Sequence, residues 1–306
     1  GSAFYYHGDY DSATIYHKKA LVIRVKIQDK KGLGASHNNL GNIYDDLGES
    51  ALALSYYQKA QKYFEELGFT TGMAIVYNSL GNLHYAQKNN TKAMEYFQRS
   101  YAIHESNKDT FGLIHALNNI AIIWDELMDK TKAMESYHRS LAMAESLGYT
   151  DAILTCYSNL SQLYMFNKDY ETAELYFHKT INANKEYGDS NQLITVYSNM
   201  GSLQKEMGRL DSALYYYTFS NSLARLQNLK PHIASNYLFI SNVYEKKHDF
   251  INAYDYHKRY SELKDSILNE EGSRQINELA IKYETEEKDK ELIARNAQIT
   301  RAAAEN

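Results

Sequence analysis

Proline and cysteine are almost absent from this sequence, and no charge of one sign dominates it. One proline in 306 residues excludes collagen-like and proline-rich chains and favours long uninterrupted helices. One cysteine, Cys156, excludes an intrachain disulfide framework and a zinc site built from several cysteines. The formal net charge is −5, so no global positive field attracts phosphate backbones, and direct nucleic-acid binding is not expected. A mean hydropathy of −0.58 leaves too little apolar length for membrane spans.

A forty-residue repeat runs through the chain. Alanine recurs seven times at a spacing of 40, at Ala13, Ala53, Ala93, Ala133, Ala173, Ala213 and Ala253. A small residue stands twelve positions before each of the last six, at Gly41, Gly81, Ala121, Ser161, Gly201 and Ser241. Large rings follow five of the alanines by four positions, at Tyr57, Phe97, Tyr137, Phe177 and Tyr217. Small residues at helix crossings receive large rings, so each unit is predicted to be a helical hairpin.

The repeat resembles the tetratricopeptide repeat family. The segment Leu40-Gly41-Asn42-Ile43-Tyr44, with Gly48-Glu49, Ala53 and Tyr56-Tyr57-Gln58-Lys59-Ala60, follows that family's pattern, and the pattern recurs in every copy. The resemblance implies an all-α fold, a superhelical solenoid of helix-turn-helix repeats. Six full repeats and one truncated repeat are expected over residues 3–267, with a C-terminal helix over 268–301. Residues 1–2 and 302–306 are expected to derive from cloning.

Two interpretations of the 268–301 segment remain open. Residues 275–299 are rich in charge, and the pairs Glu284 with Lys288 and Glu286 with Lys290 have the spacing of ion pairs on a solvated helix. The helix could cap the last repeat, as solenoids require. It could instead begin a signalling coiled coil, which would make the protein a homodimer through this helix.

The junction between the repeats and this helix resembles that of bacterial sensor proteins. The segments concerned are 260–267, 269–271, 276–279 and 282–286. In Bacteroidetes-type sensors of this group, a tetratricopeptide array precedes a histidine kinase or a transcriptional regulator. The resemblance implies a sensory or regulatory role, with a periplasmic location if a sensor kinase is the parent protein and a cytoplasmic one otherwise.

Asparagine is concentrated at positions that face inward on the first helix of each repeat. Its side-chain amide both donates and accepts hydrogen bonds, so a ladder of such residues could pair with the main chain of an extended peptide. The predicted concave groove for a peptide or protein segment comprises Asn38, Asn39, Asn42, Asp45, Asn78, Asn82, Tyr85, Asn118, Asn119, Asn159, Gln162, Asn199 and Asn242. Lysine and arginine do not occur in the inward-facing rows that start at Asn38, Asn39 and Asn42 and recur every 40 residues, which argues against a clamp for a C-terminal carboxylate. Asp45, Asp46, Asp125 and Glu126 make the first half acidic, which favours a neutral or basic peptide.

No sequence pattern indicates catalysis, a cofactor or a metal. The eleven histidines form no H-E-x-x-H motif, and there is no paired C-x-x-C motif. Gly32-Leu33-Gly34 is a fragment of a phosphate-binding pattern, but it lies at a repeat turn where glycine caps helices. The sequence therefore predicts a non-catalytic binding module. A stand-alone assembly scaffold and an intracellular receptor for a signalling peptide are the alternatives.

Overall fold

Helices make up all the regular structure in the described part of the chain. The computed structural model describes residues 1–187, 190–270, 272 and 273. The helices are α1 (Ser2–Tyr6), α2 (Tyr10–Lys26), α3 (Lys30–Asp46), α4 (Ser50–Glu66), α5 (Thr70–Ala86), α6 (Asn90–Ser106), α7 (Thr110–Glu126), α8 (Lys130–Leu147), α9 (Thr150–Phe166), α10 (Tyr170–Tyr187), α11 (Ser190–Glu206), α12 (Leu210–Leu226), α13 (Lys230–Lys246) and α14, described over 250–270. Most of the predicted C-terminal segment 268–301, and all of 302–306, lie outside the described residues.

The helices pack as consecutive hairpins within two compact units. The first unit is Gly1–Ala183 and the second is Asn184–Asn306. In the first unit α3 packs on α4, α5 on α6 and α7 on α8, while α3 also touches α5 and α7 touches α9. In the second unit α11 packs on α12 and α12 on α13, and α11 also touches α13. The predicted all-α arrangement of helix-turn-helix repeats is therefore confirmed.

The turns repeat every 20 residues, which is half of the spacing seen in the sequence. A residue with positive φ ends nearly every helix, whether or not it is glycine, at positions 8, 28, 48, 68, 88, 108, 128, 148, 168, 208, 228 and 248. At Gly48, with φ of 77°, the backbone N–H donates to the carbonyl of Asp45, and the N–H of Glu49 donates to that of Tyr44. These bonds satisfy carbonyls that the end of a helix leaves unpaired. Helices α3 to α13 are thus 17 or 18 residues long, and the described turns between them share this hydrogen-bonding pattern.

Small residues receive aromatic rings at the crossings inside the hairpins, as predicted. A Cβ atom added to Gly41 would meet the ring of Tyr57, and one added to Gly81 would meet the ring of Phe97. At Gly201 the distance from such a Cβ to the ring of Tyr217 would be 2.8 Å. The recurring alanines are buried as well, six of them with 0% of their surface exposed. This interlocking sets the distance between the two helices of a repeat.

No described helix combines the length and the apolar character that crossing a membrane requires.

Candidate peptide-binding groove

The first helices of three successive repeats surround a cavity in the first unit. Its volume is about 440 Å³, and α3, α5 and α7 provide most of its walls. We call it the groove cavity, and its lining residues are Tyr5, Asn38, Asn42, Asp45, Asp46, Tyr57, Ala74, Ile75, Asn78, Ser79, Asn82, Ser100, His104, Gly112, His115 and Ala116. These helices stand side by side because each hairpin stacks on the previous one. The stacking brings together residues that lie about two repeats apart in sequence.

Five of the predicted site residues line the groove cavity. They are Asn38, Asn42, Asp45, Asn78 and Asn82. Asn39 lines a smaller cavity of about 50 Å³ beside Tyr5, Tyr6 and His17, and Asn42 borders both cavities. These four amides and one carboxylate share the lining of one cavity.

The other predicted residues lie elsewhere. The Tyr85 hydroxyl donates to Glu126 Oε1 at 3.2 Å, and this bond joins the ends of α5 and α7. Asn118 is 7% exposed, Asn159 is half-buried and Gln162 is exposed. The Gln162 amide donates to the Ser158 carbonyl oxygen at 3.5 Å within its own helix. Asn199 and Asn242 are half-buried residues of the second unit, on α11 and α13.

Several amides bond to the protein itself. Asn42 Oδ1 accepts from the Tyr57 hydroxyl at 2.9 Å and from Ser79 Oγ at 3.2 Å. Asn119 Nδ2 donates to Asn78 Oδ1 at 2.7 Å, which links α7 to α5. Internal bonds hold these side chains in place and use part of the capacity that a peptide main chain would need. The amides therefore differ in how much hydrogen-bonding capacity they have left for a peptide. Their common spacing of 40 residues does not reveal this difference.

Asn38 differs from its counterparts in later repeats. Its side chain is 4% exposed, and its Oδ1 atom is buried with no hydrogen-bond partner among the described residues. Eighty residues later the equivalent Asn118 Oδ1 accepts from Cys156 Sγ at 3.3 Å, and a further eighty residues on Ser198 donates to Asn236 at 3.2 Å. Val76 follows Asn38 by 38 residues, just as Cys156 follows Asn118. A valine side chain has no hydrogen-bond donor. A buried acceptor without a partner costs about 1–3 kcal/mol, so Asn38 can gain from a donor that enters the groove cavity.

The electrostatics of the groove cavity favour hydrogen-bond donors. Burial, followed by the charge of Asp46, raises the pKa of Asp45 above its ordinary value. Burial and a hydrogen bond to Asp46 likewise raise the pKa of Tyr5. Burial lowers the pKa of His115, with a smaller contribution from the charge of His104. The lining, all of it in the described part of the chain, contains no lysine or arginine. Two carboxylates and several acceptor oxygens therefore share a partly buried site without an opposing cation.

Several polar residues of the lining were not among the predicted groove residues, including Tyr5, Tyr57, Ser100, His104 and His115. His104 belongs to α6, and its Nδ1 lies 2.8 Å from Asp109 Oδ2 in the turn before α7. His115 precedes Asn118 by three residues on α7 and so lies on the same helix face. That i, i+3 relation was a usable signal for His115, whereas nothing local in the sequence connects His104 or Tyr5 with the groove.

Groups of three or more histidine, cysteine, aspartate or glutamate side chains that could hold a metal ion do not occur among the described residues.

Family models and solved structures agree with this architecture. A tetratricopeptide repeat model matches residues 72–146 and 150–220, and a second tetratricopeptide repeat model matches 35–66. Together these matches cover more than half of the sequence. The chain belongs to the tetratricopeptide repeat family. No curated protein matches the sequence of this tetratricopeptide repeat chain.

Three solved structures illustrate the tetratricopeptide repeat fold of the chain. The apo form of RapI has 15% identical residues and a TM-score of 0.67, with 88% of this chain and 96% of RapI aligned. A signal transduction ATPase with a tetratricopeptide repeat sensor, PH0952 from Pyrococcus horikoshii, has 18% identity and a TM-score of 0.67. That match covers 85% of this chain but 42% of the ATPase. The Rap conjugation gene regulator of plasmid pLS20, solved with the Phr* peptide, has 16% identity and a TM-score of 0.51, over 77% and 74% of the two chains. At these identities the similarity establishes the fold.

Proposed function

We propose that this chain is a non-catalytic peptide-binding module that serves as the sensory or regulatory domain of a bacterial signalling protein, a histidine kinase or a transcriptional regulator. The observation that carries the proposal is the groove cavity, about 440 Å³ in volume and walled by α3, α5 and α7. An extended peptide segment that lies across these helices would meet acceptor groups from each of them.

The lining indicates the chemistry of the peptide. Asp45 and Asp46 supply negative charge, and Asn38 supplies a buried oxygen that lacks a donor. A lysine or arginine side chain brings both a positive charge and several N–H donors. We therefore propose a peptide with a basic residue directed into the groove cavity. Ile75 and Ala116 in the same lining provide apolar contact for the aliphatic part of such a side chain.

Two of the structural relatives support a signalling role. The pLS20 Rap regulator carries a Phr* peptide, and the Pyrococcus horikoshii ATPase has a tetratricopeptide repeat sensor. The alternative of a receptor for a signalling peptide, without an attached output domain, gains support from the same pLS20 Rap regulator, a gene regulator solved with a bound peptide. Sequencing the parent gene separates the two: a kinase or DNA-binding region downstream supports the first, and a stop codon directly after residue 300 supports the second.

A random peptide library tests the binding function. We expect the chain to select peptides with lysine or arginine at one fixed position. Replacing Asp46 by Asn and Asn82 by Ala together should weaken the best peptide about tenfold or more, because a hydrogen bond that involves a charge contributes about 1.5–3 kcal/mol and a neutral one about 1 kcal/mol. Isothermal titration calorimetry measures the change.

The matched control replaces Asp265 by Asn and Asn269 by Ala, two exposed residues of α14. This variant should bind the peptide as the unaltered protein does. A library that yields no binder, or a binder whose affinity both variants leave unchanged, would contradict the proposed groove function.

A further inference from the structure

An aromatic sandwich recurs along the repeats. A tyrosine on the second helix stacks on a ring twelve residues earlier, on the first helix of the same repeat. The centroid distances are 5.1 Å for Phe4–Tyr16, 5.3 Å for Tyr44–Tyr56, 5.5 Å for His84–Tyr96, 5.4 Å for Tyr164–Tyr176 and 5.7 Å for Tyr244–Tyr256. The ring planes in these pairs lie within 20° of parallel. The arrangement therefore recurs in five repeats, whereas in the α11–α12 repeat Gln204 stands at the ring position, twelve residues before Tyr216.

A cation three residues after each tyrosine completes the sandwich. The distances from the cation to the ring centroid are 5.3 Å for Lys19 over Tyr16, 5.2 Å for Lys59 over Tyr56, 5.7 Å for Arg99 over Tyr96, 5.0 Å for Lys179 over Tyr176 and 5.2 Å for Arg259 over Tyr256. Cations are attracted to the electron-rich faces of aromatic rings. Each of these tyrosines thus contacts both a second ring and a positive charge.

The repeat made of α7 and α8 has the ring on its first helix and the cation on its second helix, but it lacks the tyrosine. Trp124 is its ring and Arg139 its cation, while Ser136 occupies the tyrosine position. Ser136 is 9% exposed, and its hydroxyl donates to the Lys132 carbonyl oxygen at 2.8 Å, so it leaves the ring position unfilled.

A cavity of about 330 Å³ lies at this place, and we call it the Trp124 cavity. An engineered cavity of about 150 Å³ already holds a benzene ring, so the volume suffices for a phenol. The lining residues are Gln98, Tyr101, Leu117, Ile120, Trp124, Lys132, Glu135, Ser136 and Arg139. None of them lines the groove cavity, so the two sites are separate.

The charges around the Trp124 cavity suit the face of an aromatic ring. The Lys132 ammonium lies 4.3 Å from the Trp124 ring centroid, and Arg139 donates to the Tyr101 hydroxyl at 3.0 Å. The Lys132 side chain is 54% exposed and pairs with Asp129 at 2.8 Å, so it can swing toward water when a ring enters. Gln98 and Glu135 offer acceptors at the rim for a phenolic hydroxyl.

We propose that the Trp124 cavity is a second binding site, which receives a tyrosine side chain of a partner polypeptide. The partner's phenol ring takes the place that Tyr56, Tyr96 and Tyr176 occupy in other repeats. It stacks on Trp124 and lies next to Arg139. The site uses a different surface from the groove cavity and does not depend on peptide binding there.

The single tryptophan of the chain makes the site directly observable. The probe is p-cresol, which is the side chain of tyrosine, titrated into the full chain with excitation at the red edge of tryptophan absorption. We expect a saturable change in Trp124 emission. The comparison compound is 4-methylcyclohexanol, which has a similar shape but no π electrons. It should bind about threefold to tenfold more weakly, because aromatic stacking contributes about 0.5–1.5 kcal/mol beyond burial.

Two variants and one control variant test whether the response comes from the Trp124 cavity. Ser136→Tyr fills the cavity with the ring that other repeats carry, so it should abolish the saturable response to p-cresol. Ser146→Tyr adds a tyrosine at an exposed position of the same helix and should retain the response. Arg139→Gln, at an exposed residue, should weaken p-cresol binding about threefold, the effect of losing a cation–π contact of about 0.5–1 kcal/mol.

Three results would overturn the proposal. They are the absence of a saturable response in the unaltered protein, an unchanged response in a folded Ser136→Tyr variant, and equal affinity for p-cresol and 4-methylcyclohexanol. If circular dichroism shows that Ser136→Tyr does not fold, the p-cresol affinity of Arg139→Gln becomes the deciding measurement. An unchanged affinity in that variant would refute the assignment of the site to the Trp124 cavity.

Discussion

At the scale of single residues, the groove holds groups whose environment is unfavourable without a ligand. Asn38 has a buried oxygen with no donor, and Asp45 is a partly buried carboxylate next to another carboxylate. Natural binding sites commonly contain groups that lower the stability of the free protein, because the same groups form favourable interactions with a bound ligand. The pKa of Asp45 offers a direct measure of this cost.

Replacing Asp45 by Asn should raise the melting temperature at pH 7. Burial and the Asp46 charge raise the pKa of Asp45, so the folded state binds its proton more readily than the unfolded state does. The ionised carboxylate therefore lowers the free energy of unfolding above the raised pKa. This penalty disappears as the pH falls through the ordinary value of 3.8. Differential scanning calorimetry from pH 7 to below that value should show the two melting temperatures converging.

Asp265→Asn is the control for this comparison, because Asp265 is exposed on α14. It should shift the melting temperature by less than Asp45→Asn at pH 7. A lower melting temperature for Asp45→Asn at pH 7 would mean that the carboxylate stabilises the fold, contrary to the interpretation given for the groove cavity.

At the scale of helices, contacts between small residues and aromatic rings hold together the two helices of a repeat. Phe97 is 2% exposed, and its ring lies against Gly81 with no room for a further carbon atom. In the following repeat, Ala121 and Tyr137 occupy the equivalent positions and are both buried. The α5 backbone at Gly81 therefore lies so close to α6 that an added side-chain carbon would overlap the Phe97 ring.

Gly81→Ala should lower the free energy of unfolding by about 1–3 kcal/mol, the usual cost of inserting a carbon atom into a packed core. Urea denaturation followed by circular dichroism measures it. Gly272→Ala, at a position where an added Cβ atom would have no neighbour within 4 Å, is the matched control and should not destabilise the chain. Adding Phe97→Leu to Gly81→Ala should cost less than the sum of the two single changes. Strict additivity would show that the ring is not what excludes the alanine.

At the scale of the whole molecule, the repeat array and the C-terminal segment have different roles in the proposed function. The array supplies the groove cavity in the first unit, whereas residues 268–301 are predicted to form either a cap on the last repeat or a signalling coiled coil. Their charge pattern permits either a cap or a coiled coil, and most of them lie outside the described residues.

Removing residues 274–301 should convert a dimer into a monomer if this segment is the signalling helix. The truncation removes this helix from both protomers, so the apolar seam that would join them in a coiled coil is lost. Sedimentation velocity of the full and the shortened chains measures the change. A full chain that sediments as a monomer would instead support the capping interpretation, in which the truncation lowers the stability of the last repeat.

Most of the architecture was determined by the sequence itself. The forty-residue recurrence of alanine, glycine and aromatic residues predicted helical hairpins because these patterns reflect packing within one repeat and against the next. The break in the tyrosine row at Ser136 is likewise visible in the sequence. Asn38, Asn42, Asp45, Asn78 and Asn82 were predicted to share a surface, and they line one cavity.

The tertiary structure decided which of these side chains are engaged and which spaces stay open. Asn118 has a donor in Cys156 and Asn38 has none in Val76, a difference set by residues 38 positions away on another helix. Whether the gap left by Ser136 would close or persist depended on Trp124, Leu117 and Tyr101 from two other helices. Spacing along a helix fixes the face on which a residue lies, but hydrogen-bond partners and cavities depend on the particular side chains that neighbouring helices bring to that face.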